Sequence, residues 1–191
     1  LGMAEISAPG GCEIGLRPID LHLSSLRLMG AQIETEGGVL SCRCPDGLRG
    51  EKITLSFPSV GATENILIAA ASAEGETVIL NAAREPEIAD LADFLCSCGA
   101  HISGADSGEI TVCGMKKLHS AEHTVIPDRI IASTYMAAAA VTGGDVRILD
   151  TRAEHITPVI PVFEQAGCKV DCGENSVHIS APVRLRSVQT V

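Results

Sequence analysis

A cysteine stands in the run Pro9-Gly10-Gly11-Cys12-Glu13-Ile14-Gly15-Leu16-Arg17-Pro18, among three glycines and five residues ahead of a cation. A thiol becomes a useful acid or nucleophile when a nearby cation favours its thiolate, and Arg17 is spaced for that role. Glycines let the backbone take positive φ and come close to a ligand. Pro18 carries the φ of a first helical position, which predicts a helix opening there. Helix N-termini attract anions. The run therefore reads as a reactive thiol beside an oxyanion or phosphate site. The plainer alternative for Cys12 is a small buried hydrophobe.

Three further stretches carry polar groups at expected helix starts. In Ser59-Val60-Gly61-Ala62-Thr63-Glu64, Ser59 reads as an N-cap and Gly61 leaves the first amides open to a ligand; an ordinary cap with a small residue for close packing is the alternative. In Asn81-Ala82-Ala83-Arg84-Glu85-Pro86-Glu87, Pro86 reads as the first helical residue, and Glu85 is either a capping carboxylate or a polar anchor for a ligand. Pro127-Asp128-Arg129 repeats the pattern, with Asp128 as cap and Arg129 as a solvated cation or a ligand contact. None of the six histidines is assigned a catalytic role, and His22 is expected at the surface.

Composition narrows the chemistry these residues serve. A formal charge of −10 argues against nucleic acid, whose phosphates demand clustered Lys and Arg, while a few focused cations still suit a small polyanion. The eight cysteines include two C-x-C pairs, Cys42 with Cys44 and Cys96 with Cys98, and no paired C-x-x-C knuckles, so no metal is expected. The longest apolar runs, near 66–71 and 136–141, are too short to span a bilayer, and no basic, apolar leader opens the chain. The cytoplasm is the expected compartment. With 46% hydrophobic but only 2% aromatic residues, the core must be aliphatic.

The elements that must position these residues recur. Helix 18–29 stops at Gly30 and is followed by strands 32–36 and 39–43, with Gly37-Gly38 as a two-residue hairpin turn. Helix 88–98, Gly99 and strands 101–103 and 109–113 repeat this order, as do helix 158–166, Gly167 and strands 169–172 and 176–180. Ahead of these lie helix 62–73 with strand 77–81, and helix 129–141 with strand 145–150. The stop glycines at 30, 99 and 167 give a period near seventy residues, each unit reading β-α-β-α-β-β. Pro127 marks a boundary, so 1–126 and 127–191 are expected as two bodies of an α/β fold.

Taken together, PGGCEIGLRPIDLH at 9–22, FPSVGATEN at 57–65, NAAREPEI at 81–88 and PDR at 127–129 resemble the enolpyruvyl transferases. The resemblance implies an inside-out α/β barrel built from six such units, three per lobe. About three units would be present here: 1–126 as part of the catalytic lobe and 127–191 as the start of the second. It implies transfer of the enolpyruvyl group of phosphoenolpyruvate to the 3′-hydroxyl of UDP-N-acetylglucosamine, with release of phosphate and no metal or organic cofactor. Cys12 would be the proton donor and the thiol alkylated by fosfomycin. Arg17, Pro18, Ile19, Asp20 and Leu21 would bind the sugar nucleotide, and Ser59, Val60 and Gly61 its uridine and diphosphate. Glu85, Asp128 and Arg129 match polar residues at the cleft between lobes. Phe57 stands where some members carry a lysine.

The branch acting on shikimate 3-phosphate is the alternative within the family, and a non-catalytic nucleotide-sugar module the alternative outside it. Members are about twice as long. Their N-terminal Lys-Asn pair, general-base aspartate and C-terminal arginines have no counterpart here, so this portion is expected to be inactive alone. Pairing with another copy of the chain is a further expectation for its uncovered edges.

Overall fold

The computed structural model describes residues 2–7, 18–115 and 117–189. Strand β1 (Met3–Ser7) precedes helix α1 (Asp20–Leu28) and the hairpin of β2 (Gln32–Glu36) and β3 (Val39–Arg43). Next come β4 (Lys52–Thr54), α2 (Val60–Ala70), β5 (Glu76–Leu80), α3 (Pro86–Ser97), β6 (His101–Ser103) and β7 (Glu109–Cys113). The chain continues with α4 (Arg129–Thr142), β8 (Asp145–Leu149), the single turn α5 (Ala153–Ile156), α6 (Ile160–Gln165), β9 (Lys169–Cys172) and β10 (Ser176–Ser180).

The expected repeat is present in the hydrogen bonds. Gly30, Gly99 and Gly167 have φ of 102°, 103° and 99°. At each, the glycine amide donates to a carbonyl three residues back and the next amide to one five back, as in Gly99 to Cys96 and Ala100 to Leu95. That is one C-terminal motif made three times, and the left-handed φ explains why glycine holds each site. The sheets repeat as well, in the orders β1-β3-β2, β4-β5-β7-β6 and β8-β10-β9. Within each, the hairpin pairs antiparallel and the earlier strand lies against its second arm; β4 is parallel to β5. Gly37 and Gly38, both at positive φ, join Glu36 to its register partner Val39 as the sequence predicts.

Four expectations are corrected. Helix α1 opens at Asp20, not Pro18, because Ile19 is its N-cap and supplies the carbonyl to the Leu23 amide. The helix expected at 158–166 is the shorter α6, which opens at Ile160 behind a turn at 157–159; α5, ahead of that turn, lies outside the expected range. Strands β5 and β8 end one residue early, since Asn81 and Asp150 both turn to positive φ. Only the middle unit is a complete β-α-β-α-β-β, because among the described residues no strand lies between β7 and α4.

Contacts divide the chain into units Leu1–Thr124 and Val125–Val191. In the first, α2 packs against α1 and α3 and buries Ala62, Thr63, Ile66, Leu67 and Ala70 along one stripe. Ile53, Ile79, Ile88, Ile110 and Val112 complete an aliphatic core. In the second, Ala132, Met136, Ala139 and Ala140 of α4 meet Ile156, Cys168, Val177 and Ile179. The small alanines let α4 lie close to its sheet.

Candidate functional site

Helix α2 begins at a well-made cap. Ser59 is extended (φ −84°, ψ 121°), its Oγ accepts from the Ala62 amide at 3.4 Å, and its carbonyl accepts from the Thr63 amide. Thr63, fully buried, donates its hydroxyl to the Ser59 carbonyl at 2.8 Å and accepts from the Ala83 amide at 3.1 Å. One hydroxyl thus joins the start of α2 to the connection between β5 and α3.

That connection is itself held on several sides. Asn81 donates from Nδ2 to the Leu55 carbonyl at 3.0 Å, and the Ala82 amide bonds the Gly108 carbonyl. Glu85 occupies the N-cap position of α3, with Pro86 at the first helical position as expected. Its carboxylate does not bond the helix amides; Oε2 accepts from the Arg84 amide at 3.0 Å. A Cβ at Gly108 would lie 2.7 Å from Arg84 Nη2, so the guanidinium rests over Gly108.

Helix α1 approaches α2 from the other side. Leu21 packs against the aliphatic core, and its carbonyl accepts from Ser25 Oγ at 2.7 Å. His22 is half-buried and hydrogen-bonded through Nδ1 to Asn65 Nδ2 of α2. A Cβ at Gly61 would lie 3.3 Å from His22 Cε1. Gly61 therefore has a packing reason for being glycine, whatever its amides bind. Pro18 and Asp20 are exposed, Ile19 is half-buried, and Ser59 and Val60 are half-buried.

The first unit thus brings together Leu21 and His22, 59–65 and 81–85 around the opening turns of α2. Cys12 and Arg17 lie outside the described residues, in the connection from β1 to α1. In the second unit, Asp128 caps α4, its Oδ1 accepting from the Ile130 and Ile131 amides at 2.8 and 2.9 Å, and the half-buried Arg129 is the first helical residue. Sequence reasoning missed Thr63, Asn65 and Arg84, although all three lie inside or beside the motifs it quoted. Burial pushes the Cys168 thiol up, the reverse of an activated cysteine. Among the described residues no group of three or more His, Cys, Asp or Glu is arranged to hold a metal ion, and no helix is long and apolar enough to cross a membrane.

A family profile described as EPSP synthase (3-phosphoshikimate 1-carboxyvinyltransferase) matches residues 1–190. The UDP-N-acetylglucosamine 1-carboxyvinyltransferase of Finegoldia magna is 48% identical over 191 residues, covering 99% of this chain and 45% of that protein. The enzyme of the same name from Acidiphilium cryptum is 53% identical over 169 residues, covering 88% of this chain and 40% of that protein. The chain thus spans less than half the length of these curated relatives. Among solved structures, the enolpyruvyl transferase NikO of Streptomyces tendae superposes with a TM-score of 0.81 at 22% identity, over 97% of this chain and 45% of that one. EPSP synthase of Acinetobacter baumannii gives 0.62 at 27% identity, over 92% and 42%. Mixed α/β units repeated in this order, and a family match along almost the whole sequence, make the chain a member of the EPSP synthase (3-phosphoshikimate 1-carboxyvinyltransferase) family.

Proposed function

We propose that the chain is a portion of a transferase that moves the enolpyruvyl group of phosphoenolpyruvate to the 3′-hydroxyl of UDP-N-acetylglucosamine, the first committed step of peptidoglycan synthesis, in the cytoplasm. The 3′-hydroxyl gives its proton to a general base as its oxygen bonds to C2 of phosphoenolpyruvate, and C3 takes a proton from an acid. The tetrahedral adduct then loses phosphate from C2 and a proton from C3. Cys12 is the acid that protonates C3, with Arg17 favouring its thiolate afterwards. Arg17, Pro18, Ile19, Asp20 and Leu21 hold the sugar nucleotide, and Ser59, Val60 and Gly61 its diphosphate at a helix start. Glu85, Asp128 and Arg129 are further substrate-binding residues of the whole protein. Residues 1–126 belong to the catalytic lobe and 127–191 to the second.

The observation that carries this reading is the meeting of His22, 59–65 and 81–85 around one end of α2. Relatives named for this sugar-nucleotide reaction are 46–53% identical, which favours it over the shikimate 3-phosphate branch. Calorimetric titration of the 191-residue chain tests it. UDP-N-acetylglucosamine is expected to bind and shikimate 3-phosphate is not. With phosphoenolpyruvate added, no phosphate release is expected, because the chain spans 45% of the Finegoldia relative. Preferential binding of shikimate 3-phosphate would sink the assignment of substrate.

A further inference from the structure

The substrate motifs leave one buried polar group without an assigned task. Thr63 is fully buried, and its hydroxyl uses both its capacities: it donates to the Ser59 carbonyl at 2.8 Å and accepts from the buried Ala83 amide at 3.1 Å. Ser59 opens the turn of Ser59, Val60 and Gly61, and Ala83 is followed directly by Arg84 and Glu85. A buried hydroxyl that bonds the Ser59 carbonyl and, twenty residues beyond Thr63, satisfies the Ala83 amide fixes the spacing of the two segments.

The repeat shows that the helix does not itself require this hydroxyl. Asp128 caps α4 as Ser59 caps α2, and four residues past the cap the second unit has Ala132, also buried. Alanine is sufficient for packing at that place in the fold. The hydroxyl belongs to the unit whose helix start carries the expected diphosphate loop.

We propose that Thr63 is a positioning residue of the substrate site, holding the Ser59–Gly61 turn and the Ala83–Glu85 segment at one spacing so that both meet the same sugar nucleotide. The inference rests on the proposed function. Asn65 and His22 do the corresponding work toward α1, so α2 carries all three segments as one body.

Thr63→Val keeps the shape and removes the hydroxyl; Thr63→Ser keeps the hydroxyl. In the 191-residue chain, T63V is expected to bind UDP-N-acetylglucosamine about tenfold more weakly, a loss of about 1.4 kcal/mol. Amide exchange at 59–62 and 83–85 should rise together, and T63S should restore both affinity and protection. A residue that only fills the core would lower the melting temperature and leave affinity unchanged. Wild-type affinity in T63V, with unaltered exchange at Ala83 and Arg84, overturns the proposal. If T63V does not fold, Thr63→Ala replaces it, as the buried Ala132 suggests that alanine fits. If the wild-type chain binds no sugar nucleotide, the proposed function fails. The exchange comparison then decides Thr63 separately: unchanged protection rejects the coupling, and a joint rise supports it.

Discussion

At the scale of single residues, the two units use side chains for different ends. In the first, hydroxyl, amide and imidazole groups knit separate segments together. In the second, the clearest side-chain cluster lies across a sheet: His178 on β10 contacts Asp145 Oδ1 on β8 at 2.7 Å, and its Nδ1 lies 3.7 Å from Asp171 Oδ2 on β9. Hydrogen bonds from His178, and then from Ser180, hold the Asp145 carboxyl below its ordinary range. A carboxyl whose pKa falls on folding adds stability above its unfolded value, and that contribution is lost as pH drops through the depressed one. Asp145→Asn is therefore expected to flatten the acid side of the stability profile while changing it little in the direction of neutral pH beyond a constant offset. Urea midpoints of both proteins across a pH series check this, and parallel curves would refute it. The reach of side chains is also where sequence reading stopped short. Nothing near His22 in sequence announces Asn65, forty-three residues away.

At the scale of elements, the stop glycines combine a left-handed backbone with unequal surroundings. A Cβ at Gly30 would meet nothing nearer than the Gly47 carbonyl at 3.8 Å, whereas at Gly99 it would lie 3.1 Å from His119 Nε2. Alanine in a left-handed conformation costs about 1–2 kcal/mol at either place. Gly99→Ala should exceed Gly30→Ala because the His119 ring must also move. Urea unfolding of the two variants measures the difference, and equal midpoints would show that the ring yields freely. Local chemistry made these elements legible: Gly37-Gly38 placed the β2–β3 hairpin to the residue, and strands β6, β7, β9 and β10 were read at their observed bounds. Helix starts were less so. Pro18 was compatible with a first helical position, but the Ile19 carbonyl takes the first helical bond.

At the scale of the whole molecule, each unit has its own buried cluster and each can be perturbed by itself. Met136 is fully buried at the centre of the second cluster. Met136→Ala removes most of that side chain and is expected to destabilise Val125–Val191 by about 2–5 kcal/mol. The loss should be read as faster amide exchange in β8, β9 and β10, and protection unchanged there would place the centre of that core elsewhere. The chain covers 45% of the Finegoldia relative.

The sequence by itself determined the repeat, the aliphatic character of the core, the hairpins and the family. Those follow from local signals: glycines where φ must be positive, alternation in strands, and motifs contiguous along the chain. Tertiary structure alone decided that Thr63 joins Ser59 to Ala83, that His22 lies against Gly61, and that Gly108 makes room for Arg84. It also decided that the third unit's helix opens at Ile160, behind a turn at 157–159 that holds Pro158. Each of these depends on partners brought together only when the elements pack, and a buried hydroxyl or imidazole does not reveal from its own neighbours in sequence which distant group will satisfy it.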